Sequence, residues 1–169
     1  TTLGNDGWVF DLVIHNAGFN PKDRKSPADY FTSTFAIAGF SGANVADALW
    51  VNALMPMQLT SRLLPHMAGN GTVLAISSWL GSIGGKTSPG HYGYAGSKAL
   101  LNMFMRGLSL EFGANGRSAV ALNPGWMKTE MGGANAKETP DDIAGQIFAL
   151  AMDGVLSRSN GMFINADGS

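Results

Sequence analysis

Short apolar runs alternate along this chain with stretches of helical pattern, and each run ends at residues that break regular structure. Three runs, 11–15, 71–77 and 118–123, stop at Asn16-Ala17-Gly18, at a Gly-, Ser- and Pro-rich stretch and at Pro124-Gly125. Uninterrupted apolar runs are typical of strands that are buried on both faces. Strands alternating with helices therefore predict an α/β fold in which helices cover both sides of a parallel sheet.

The segments between the runs carry helix signals. Thr139-Pro-Asp-Asp142 combines a capping residue, a proline at the first position and acids in the first turn, which predicts a helix to about Met152. The remaining predicted elements are a helix capped by Asn44 and running to about Met67, a turn at 69–71, a loop at 79–91, a helix over 92–112 ended by Gly113 and Gly116, a last strand over 161–165, and an irregular excursion at 20–43.

Composition narrows the function class. The 169 residues, 45% hydrophobic and 14% charged, fit a single globular domain over 1–169, and the low charge predicts burial against a partner. A net charge of -1 without a basic stripe argues against nucleic-acid binding. There is no cysteine, and His15, His66 and His91 are far apart, so no metal site is expected. Neither a membrane span nor a signal peptide is visible, which makes the cytoplasm the default compartment.

Chemically distinctive residues follow three of the predicted strands. Asn16, Ser77-Ser78 and Asn123-Pro124-Gly125 all lie at carboxyl ends. Ligands of open parallel sheets bind outside those ends, so we expect the three groups to share one rim.

Tyr94 and Lys98 lie four residues apart on a predicted helix, so they share a face one turn apart. A nearby ammonium favours phenolate over phenol, which a tyrosine general acid/base requires. A surface ring beside a lysine has the same spacing. Ser78, which ends a strand 16 residues before Tyr94, provides a hydroxyl that can bind the same substrate oxygen, and Ser77 is its neighbouring competitor.

Asn52 lies inside a predicted helix, four residues before Pro56. Because proline lacks an N–H, the carbonyl of Asn52 loses its helical partner and the helix should bend. The free carbonyl can hold an ordered water, although a simple packing kink explains the pattern equally well.

Together these motifs resemble the short-chain dehydrogenase/reductase family, in the family's order and approximate spacing over about residues 8–169. Leu80-Gly-Ser-Ile83 and the C-terminal residues are similar to the C-factor and sniffer-like carbonyl reductase branch. The motifs that carry the resemblance are Asn16-Ala-Gly18, Val51-Asn52, Ile76-Ser-Ser78, Tyr94-x-x-x-Lys98 followed by Ala99-Leu-Leu-Asn102, and Asn123-Pro-Gly125 through Thr129.

The resemblance implies the C-terminal portion of a Rossmann-like doubly wound sheet and hydride transfer between NADP or NAD and a small carbonyl or alcohol. NADP is slightly favoured. Tyr94 would be the acid/base, Lys98 would lower its pKa and hold the nicotinamide ribose, Ser78 would orient the substrate oxygen, and Asn52 would hold a water. The implied cofactor-binding residues are Asn16, Ala17, Gly18, Tyr94, Lys98, Pro124, Gly125, Trp126, Met127 and Thr129.

The chain departs from the family pattern in two ways. His15 replaces a common asparagine, a change expected to alter little. The strand, glycine-rich turn and helix that hold the pyrophosphate in the family are not found, and Gly39-Phe-Ser-Gly42 is rejected as a substitute. Either the chain is a fragment of a longer protein or a second chain completes it, and we expect the fragment, with an exposed apolar edge on its first strand and little activity alone.

Several readings stay open. The chain could be a non-catalytic relative, a structural assembly module, or a sugar epimerase or dehydratase on the same fold. The helices near 45–67 and 92–112 are apolar enough to form a homodimer or tetramer. The sequence does not identify the substrate, the reaction direction or the oligomer number.

Overall fold

The computed structural model describes residues 7–20 and 37–169, which form a parallel sheet with helices on both faces. This is the α/β architecture that the alternation of runs predicts, and it agrees with the Rossmann-like sheet that the resemblance implies. The described strands lie side by side in chain order, and they are β1 (Phe10–His15), β2 (Met67–Ile76), β3 (Ser118–Asn123) and β4 (Phe163–Asn165). The described helices are α1 (Gly42–Leu49), α2 (Met55–Leu63), α3 (Tyr92–Gly113), α4 (Pro140–Met152) and α5 (Val155–Arg158).

Alternate residues of the central strands pack against different helices. Val73 and Ala75 face a core formed with α3 and the segment around α2, whereas Leu74 and Ile76 face a core formed with α4 and α5. All four side chains are buried. Burial on both sides explains why these strands read as unbroken apolar runs, and it fixes the register that aligns the carboxyl ends.

Helix signals with a local cause predicted the correct bounds. The Thr139 hydroxyl accepts a hydrogen bond from Asp142 N (3.2 Å), and Pro140 is the first residue of α4. The expected helix over 92–112 is confirmed as α3, which extends one residue further. The expected irregularity near Asn52 is present as a π turn over Trp50–Leu54, where Met55 N donates to Trp50 O.

Other expected bounds were wrong. Ser41, not Asn44, caps α1, because Ser41 is extended and its hydroxyl accepts from Asn44 N (3.4 Å). The expected turn at 69–71 belongs to β2, which begins at Met67 and carries extra residues in a register shift against β1. The last strand begins at Phe163, and α5 was not expected. The excursion at 20–43 lies largely outside the described residues.

The β1 side of the described sheet leaves apolar surface exposed. Val13 is buried, but the next side chain, Ile14, is 45% exposed. Within the described ranges no strand pairs with the outer edge of β1. The sequence predicted such exposed hydrophobic side chains at the edge of the first strand.

A glycine contact holds the loop after β2 against α3. A Cβ on Gly81 would lie 2.8 Å from both the carbonyl carbon and the Cβ of Lys98. Gly107, on the same helix, has nothing within 4 Å of a Cβ built there. The loop at Gly81 can therefore approach α3 only without a side chain.

We expect Gly81→Ala to lower the free energy of unfolding by about 1–3 kcal/mol, because the loop must move away from α3. Gly107→Ala, the matched control, should raise it by about 0.5–1 kcal/mol, since alanine restricts the unfolded chain and fits the helix. Urea unfolding of both variants measures the difference. Equal effects of the two substitutions would contradict the close contact at Gly81.

Candidate functional site

Lys98 connects the helix that carries Tyr94 to the strand that precedes Ser78. Its ammonium donates a hydrogen bond to the carbonyl of Ile76 (2.8 Å), at the end of β2. Its Nζ lies 5.7 Å from the centroid of the Tyr94 ring. The i,i+4 spacing on α3 thus brings an ammonium beside the phenol, as expected.

The Lys98 side chain is only 3% exposed. Burial lowers the pKa of its ammonium from the ordinary 10.5 to about 8, because the charged form loses hydration. The group is therefore mostly cationic at neutral pH. Among the described residues Ile76 is the hydrogen-bond acceptor of Nζ, so two of its three N–H donors remain for other groups.

Ser77 and Ser78 have different surroundings. Ser77 is buried, and its hydroxyl donates to Asn102 Oδ1 (2.6 Å). Ser78 is half-buried and extended, and its hydroxyl oxygen accepts from Leu80 N (3.3 Å), while its proton has no acceptor in the described part of the chain. The geometry favours Ser78 over Ser77 as the hydroxyl that binds a ligand.

Asn52 is fully buried in the π turn, and its side chain holds the loop after β1. Its Oδ1 accepts from Phe19 N (2.7 Å), and its Nδ2 donates to Phe19 O (2.7 Å) and to Ser97 Oγ (2.8 Å). The Ser97 hydroxyl in turn donates to the carbonyl of Tyr94 (2.7 Å). Asn52 therefore connects the loop after β1 to α3 through its side chain, whereas its position four residues before Pro56 had drawn attention to its main-chain carbonyl.

The expected cofactor-binding residues Asn16, Ala17 and Gly18 lie exposed at the carboxyl end of β1. A Cβ built on Gly18 would lie 3.9 Å from both Asn52 Oδ1 and Lys98 Nζ. The loop after β1, the π turn and α3 therefore meet at Gly18. The sheet brings the first of the three expected strand ends to the site as predicted.

Asn123 joins the second and third strand ends. Its Oδ1 accepts from Trp79 N (3.0 Å) and Gly125 N (3.3 Å), and its Nδ2 donates to Asn165 Oδ1 (2.9 Å). Trp79 directly follows Ser78, so this amide holds the serine segment beside β3.

The expected nicotinamide segment after β3 forms a closed loop. Pro124 is buried, and Gly125 has a positive φ of 80°. The indole of Trp126 donates to Gly132 O (2.8 Å), and the Thr129 hydroxyl accepts from Gly132 N (3.0 Å). The half-buried Met127 packs against the core on the α4 side of the sheet. The segment lies at the expected rim, and its contact with a cofactor stays a prediction.

His15, the minor departure from the family pattern, is buried at the end of β1. Its Nε2 lies 2.7 Å from the Thr60 hydroxyl, which donates to Pro56 O (2.9 Å). Burial lowers the pKa of the imidazole. These contacts connect β1 to α2 beneath the rim.

Ser97, Asn102 and Asn123 organise the site but were not among the candidate site residues expected from the sequence, although Asn102 and Asn123 lie in its motifs. Asn102 had a usable signal, because Tyr94, Lys98 and Asn102 follow one another at intervals of four on the same helix face. Ser97 and Asn123 also bind groups that are distant in sequence, at Asn52 and at Trp79 and Asn165, and only the structure shows those contacts. Among the described residues no cluster of three metal-ligating side chains is found.

The sequence matches the family model described as "Enoyl-(Acyl carrier protein) reductase" over residues 2–156. The chain belongs to the short-chain dehydrogenase/reductase family. Membership supports the α/β sheet and the oxidoreductase class that the motifs indicated.

Similar proteins include C-signal and two carbonyl reductases. C-signal of Myxococcus xanthus is 34% identical, over 94% of this chain and 90% of that protein. Carbonyl reductase Sniffer of D. melanogaster is 28% identical with a TM-score of 0.83, over 98% of this chain and 67% of that one. The NADPH-bound carbonyl reductase from chicken fatty liver is 27% identical with a TM-score of 0.80, over 99% and 68%.

The buried ammonium of this dehydrogenase/reductase chain makes its stability depend on pH. The folded state binds the Lys98 proton less tightly than the unfolded chain does. The contribution of Lys98 to the free energy of unfolding is therefore fully present above pH 10.5 and is lost as the pH falls through about 8. From about pH 7 to about pH 10, we expect the free energy of unfolding to rise by about 2 kcal/mol relative to Lys98→Met.

Urea unfolding of both proteins at the two pH values measures this difference. Lys137 is exposed, so Lys137→Met serves as the control and should leave the pH dependence of the parent protein intact. If the free energy of unfolding changed with pH in the same way in Lys98→Met and in the parent protein, the lowered pKa of Lys98 would be contradicted.

Proposed function

We propose that this chain is the catalytic portion of an NADP(H)- or NAD(H)-dependent carbonyl reductase that interconverts a small carbonyl compound and its alcohol. The observation that carries the proposal is the buried Lys98 ammonium, which lies beside the Tyr94 ring and binds the end of the strand leading to Ser78. A phenol, an ammonium and a hydroxyl on adjoining segments form the donor set that protonation of a carbonyl oxygen requires.

The reduction needs a proton at the substrate oxygen while the carbon receives a hydride, which the nicotinamide supplies when bound. The Tyr94 hydroxyl donates this proton, and the Lys98 charge stabilises the phenolate that remains. The Ser78 hydroxyl donates to the same oxygen and fixes its orientation. The main-chain carbonyl of Asn52 holds the water through which Lys98 exchanges protons with solvent. Oxidation of the alcohol uses the same groups in reverse.

The described residues fit the nicotinamide end of the cofactor. Gly18 leaves the backbone open beside Lys98 Nζ, which keeps two N–H donors suited to ribose hydroxyls. Asn16 and Ala17 line the same side, and residues 124–129 lie across the rim. We take NADP(H) as the preferred cofactor, because the similar carbonyl reductase from chicken fatty liver holds NADPH.

The chain spans about two thirds of the carbonyl reductase structures that it matches, so activity is proposed for the protein at its full length. The exposed Ile14 edge is compatible with further strands there. We also propose that copies associate through the helices near 45–67 and 92–112, which carry exposed apolar side chains. The exposed apolar residues on these helices are Trp50, Met55, Leu59, Tyr92, Met103 and Leu110.

None of the described helices has both the length and the apolar character needed to cross a membrane. The expected cytoplasmic location and the absence of nucleic-acid partners stay predictions.

In the full-length protein, we expect Tyr94→Phe to lower kcat for NADPH-dependent reduction of a test aldehyde by at least about 100-fold, because the proton donor is lost. Tyr92→Phe is the matched control, since Tyr92 lies two residues earlier and its exposed ring packs edge-on against Phe40. Its activity should stay unchanged. Steady-state assays that follow NADPH absorbance measure both variants.

Unchanged reductase activity in Tyr94→Phe would refute the proposed mechanism and favour a non-catalytic or structural role. Analysis of the products would separate reduction from epimerisation or dehydration, because only reduction consumes NADPH in proportion to the alcohol formed.

We expect the 169-residue chain alone to bind NADPH at least about tenfold more weakly than the full-length protein. Within residues 7–20 and 37–169 no strand passes through a short, tight glycine-rich turn directly into a helix N-terminus, the structure that holds the pyrophosphate, since β2 and α3 are separated by the long loop at 77–91. Fluorescence titration of both proteins measures the affinity. Equal affinities would show that the described rim is sufficient.

A further inference from the structure

We infer that Asn102 is a positioning residue that holds the Ser78 segment against the helix carrying Tyr94 and Lys98. The inference rests on the proposed function, because it concerns how the substrate-orienting hydroxyl is placed. Asn102 itself touches the segments on either side of Ser78 and is not proposed to touch the substrate.

Two hydrogen bonds place the Asn102 amide around Ser78. Its Oδ1 accepts from the hydroxyl of Ser77 (2.6 Å), the residue before Ser78. Its Nδ2 donates to the carbonyl of Gly81 (3.3 Å), three residues after Ser78. One side chain of α3 therefore fixes both ends of a five-residue span, Ser77 to Gly81, with Ser78 inside it.

The contact at Gly81 is constrained on a second side. The backbone there packs so closely on Lys98 that a Cβ would lie 2.8 Å from Lys98 Cβ. The ammonium of Lys98 binds the carbonyl of Ile76, just before Ser77. Lys98 and Asn102, one helical turn apart, thus hold successive parts of the same segment.

Fixing Ser77 also fixes the direction of Ser78. Successive side chains of extended backbone point to opposite sides, and Ser78 is extended with φ −165° and ψ 148°. With the Ser77 hydroxyl bound to α3, rotation of the segment would break a partly buried hydrogen bond. An amide suits this position because it accepts from a hydroxyl and donates to a carbonyl without adding a charge near Lys98.

The test uses the full-length protein and compares Asn102→Ala in two backgrounds. With Ser78 present, we expect kcat to fall about tenfold, the effect of roughly one lost hydrogen bond, while KM for NADPH stays unchanged. In a Ser78→Ala background, Asn102→Ala should lower kcat by less than about twofold, because the hydroxyl that Asn102 positions is already absent. A purely structural role of Asn102 would not produce this dependence on Ser78.

Asn160→Ala is the matched control. The Asn160 amide also bridges α3 and the sheet, donating to Ser109 O (3.1 Å) and accepting from Ala119 N (2.9 Å), at the end of α3 away from Tyr94. We expect it to lower stability comparably and to leave kcat of the folded protein unchanged. Ser77→Ala, which removes only the hydroxyl bound to Asn102, is the second variant if Asn102→Ala does not fold, and it should reproduce the loss and its dependence on Ser78.

The outcomes separate the two proposals. An equal loss from Asn102→Ala in both backgrounds, or no loss with Ser78 present, would overturn the positioning role while Tyr94→Phe remained inactive. Full activity of both Tyr94→Phe and Ser78→Ala would instead overturn the proposed function.

Discussion

The site depends on one buried ammonium. Lys98 loses most of its hydration, and the hydrogen bond from its Nζ to the Ile76 carbonyl offsets part of that cost. The bond fixes the distance between α3 and the end of β2, and so between the residues that each carries. It also keeps a positive charge beside the Tyr94 ring, where a charge in open solvent would be screened.

Asparagine side chains complete the arrangement at the strand ends. Asn52 binds both backbone groups of Phe19, Asn102 binds Ser77 and Gly81, and Asn123 binds Trp79 and Gly125. Each amide satisfies backbone groups that irregular loops leave unpaired, and none adds a charge that would compete with Lys98. Hydrogen bonds of neutral side chains therefore hold the rim in place, and Lys98 provides its positive charge.

The sequence predicted those elements whose cause is local. β3 and α4 have the expected bounds, because an apolar run ending in Pro-Gly and a Thr-Pro-Asp-Asp start act within a few residues. The start of α1 was missed because Ser41 and Asn44 are both good caps, and only backbone conformation decides between them. The Gly69–Gly71 segment was read as a turn, although pairing with β1 extends the strand through it.

The distinction between local causes and contacts of distant segments also applies to the site. Tyr94 and Lys98 were found from their spacing, and the strand ends met as the topology requires. The spacing could not identify the hydrogen-bond partners of the Asn52 and Asn102 side chains, because these partners lie 45 and 25 residues away at Ser97 and Ser77. Such pairs become visible only once the sheet brings the segments together.

Because of the register shift at its start, β2 tolerates insertions and deletions at one end and does not tolerate them at the other. β1 and β2 pair at Phe10 and Met67 and next at Leu12 and Thr72, and from there the alignment is unbroken to His15 and Ala75. A residue gained or lost near Ala68–Gly71 can be absorbed before the regular pairing begins. A length change between Ile76 and Gly81 would instead separate the groups that Lys98 and Asn102 bind. Family members that share this rim should therefore vary in length at the start of β2.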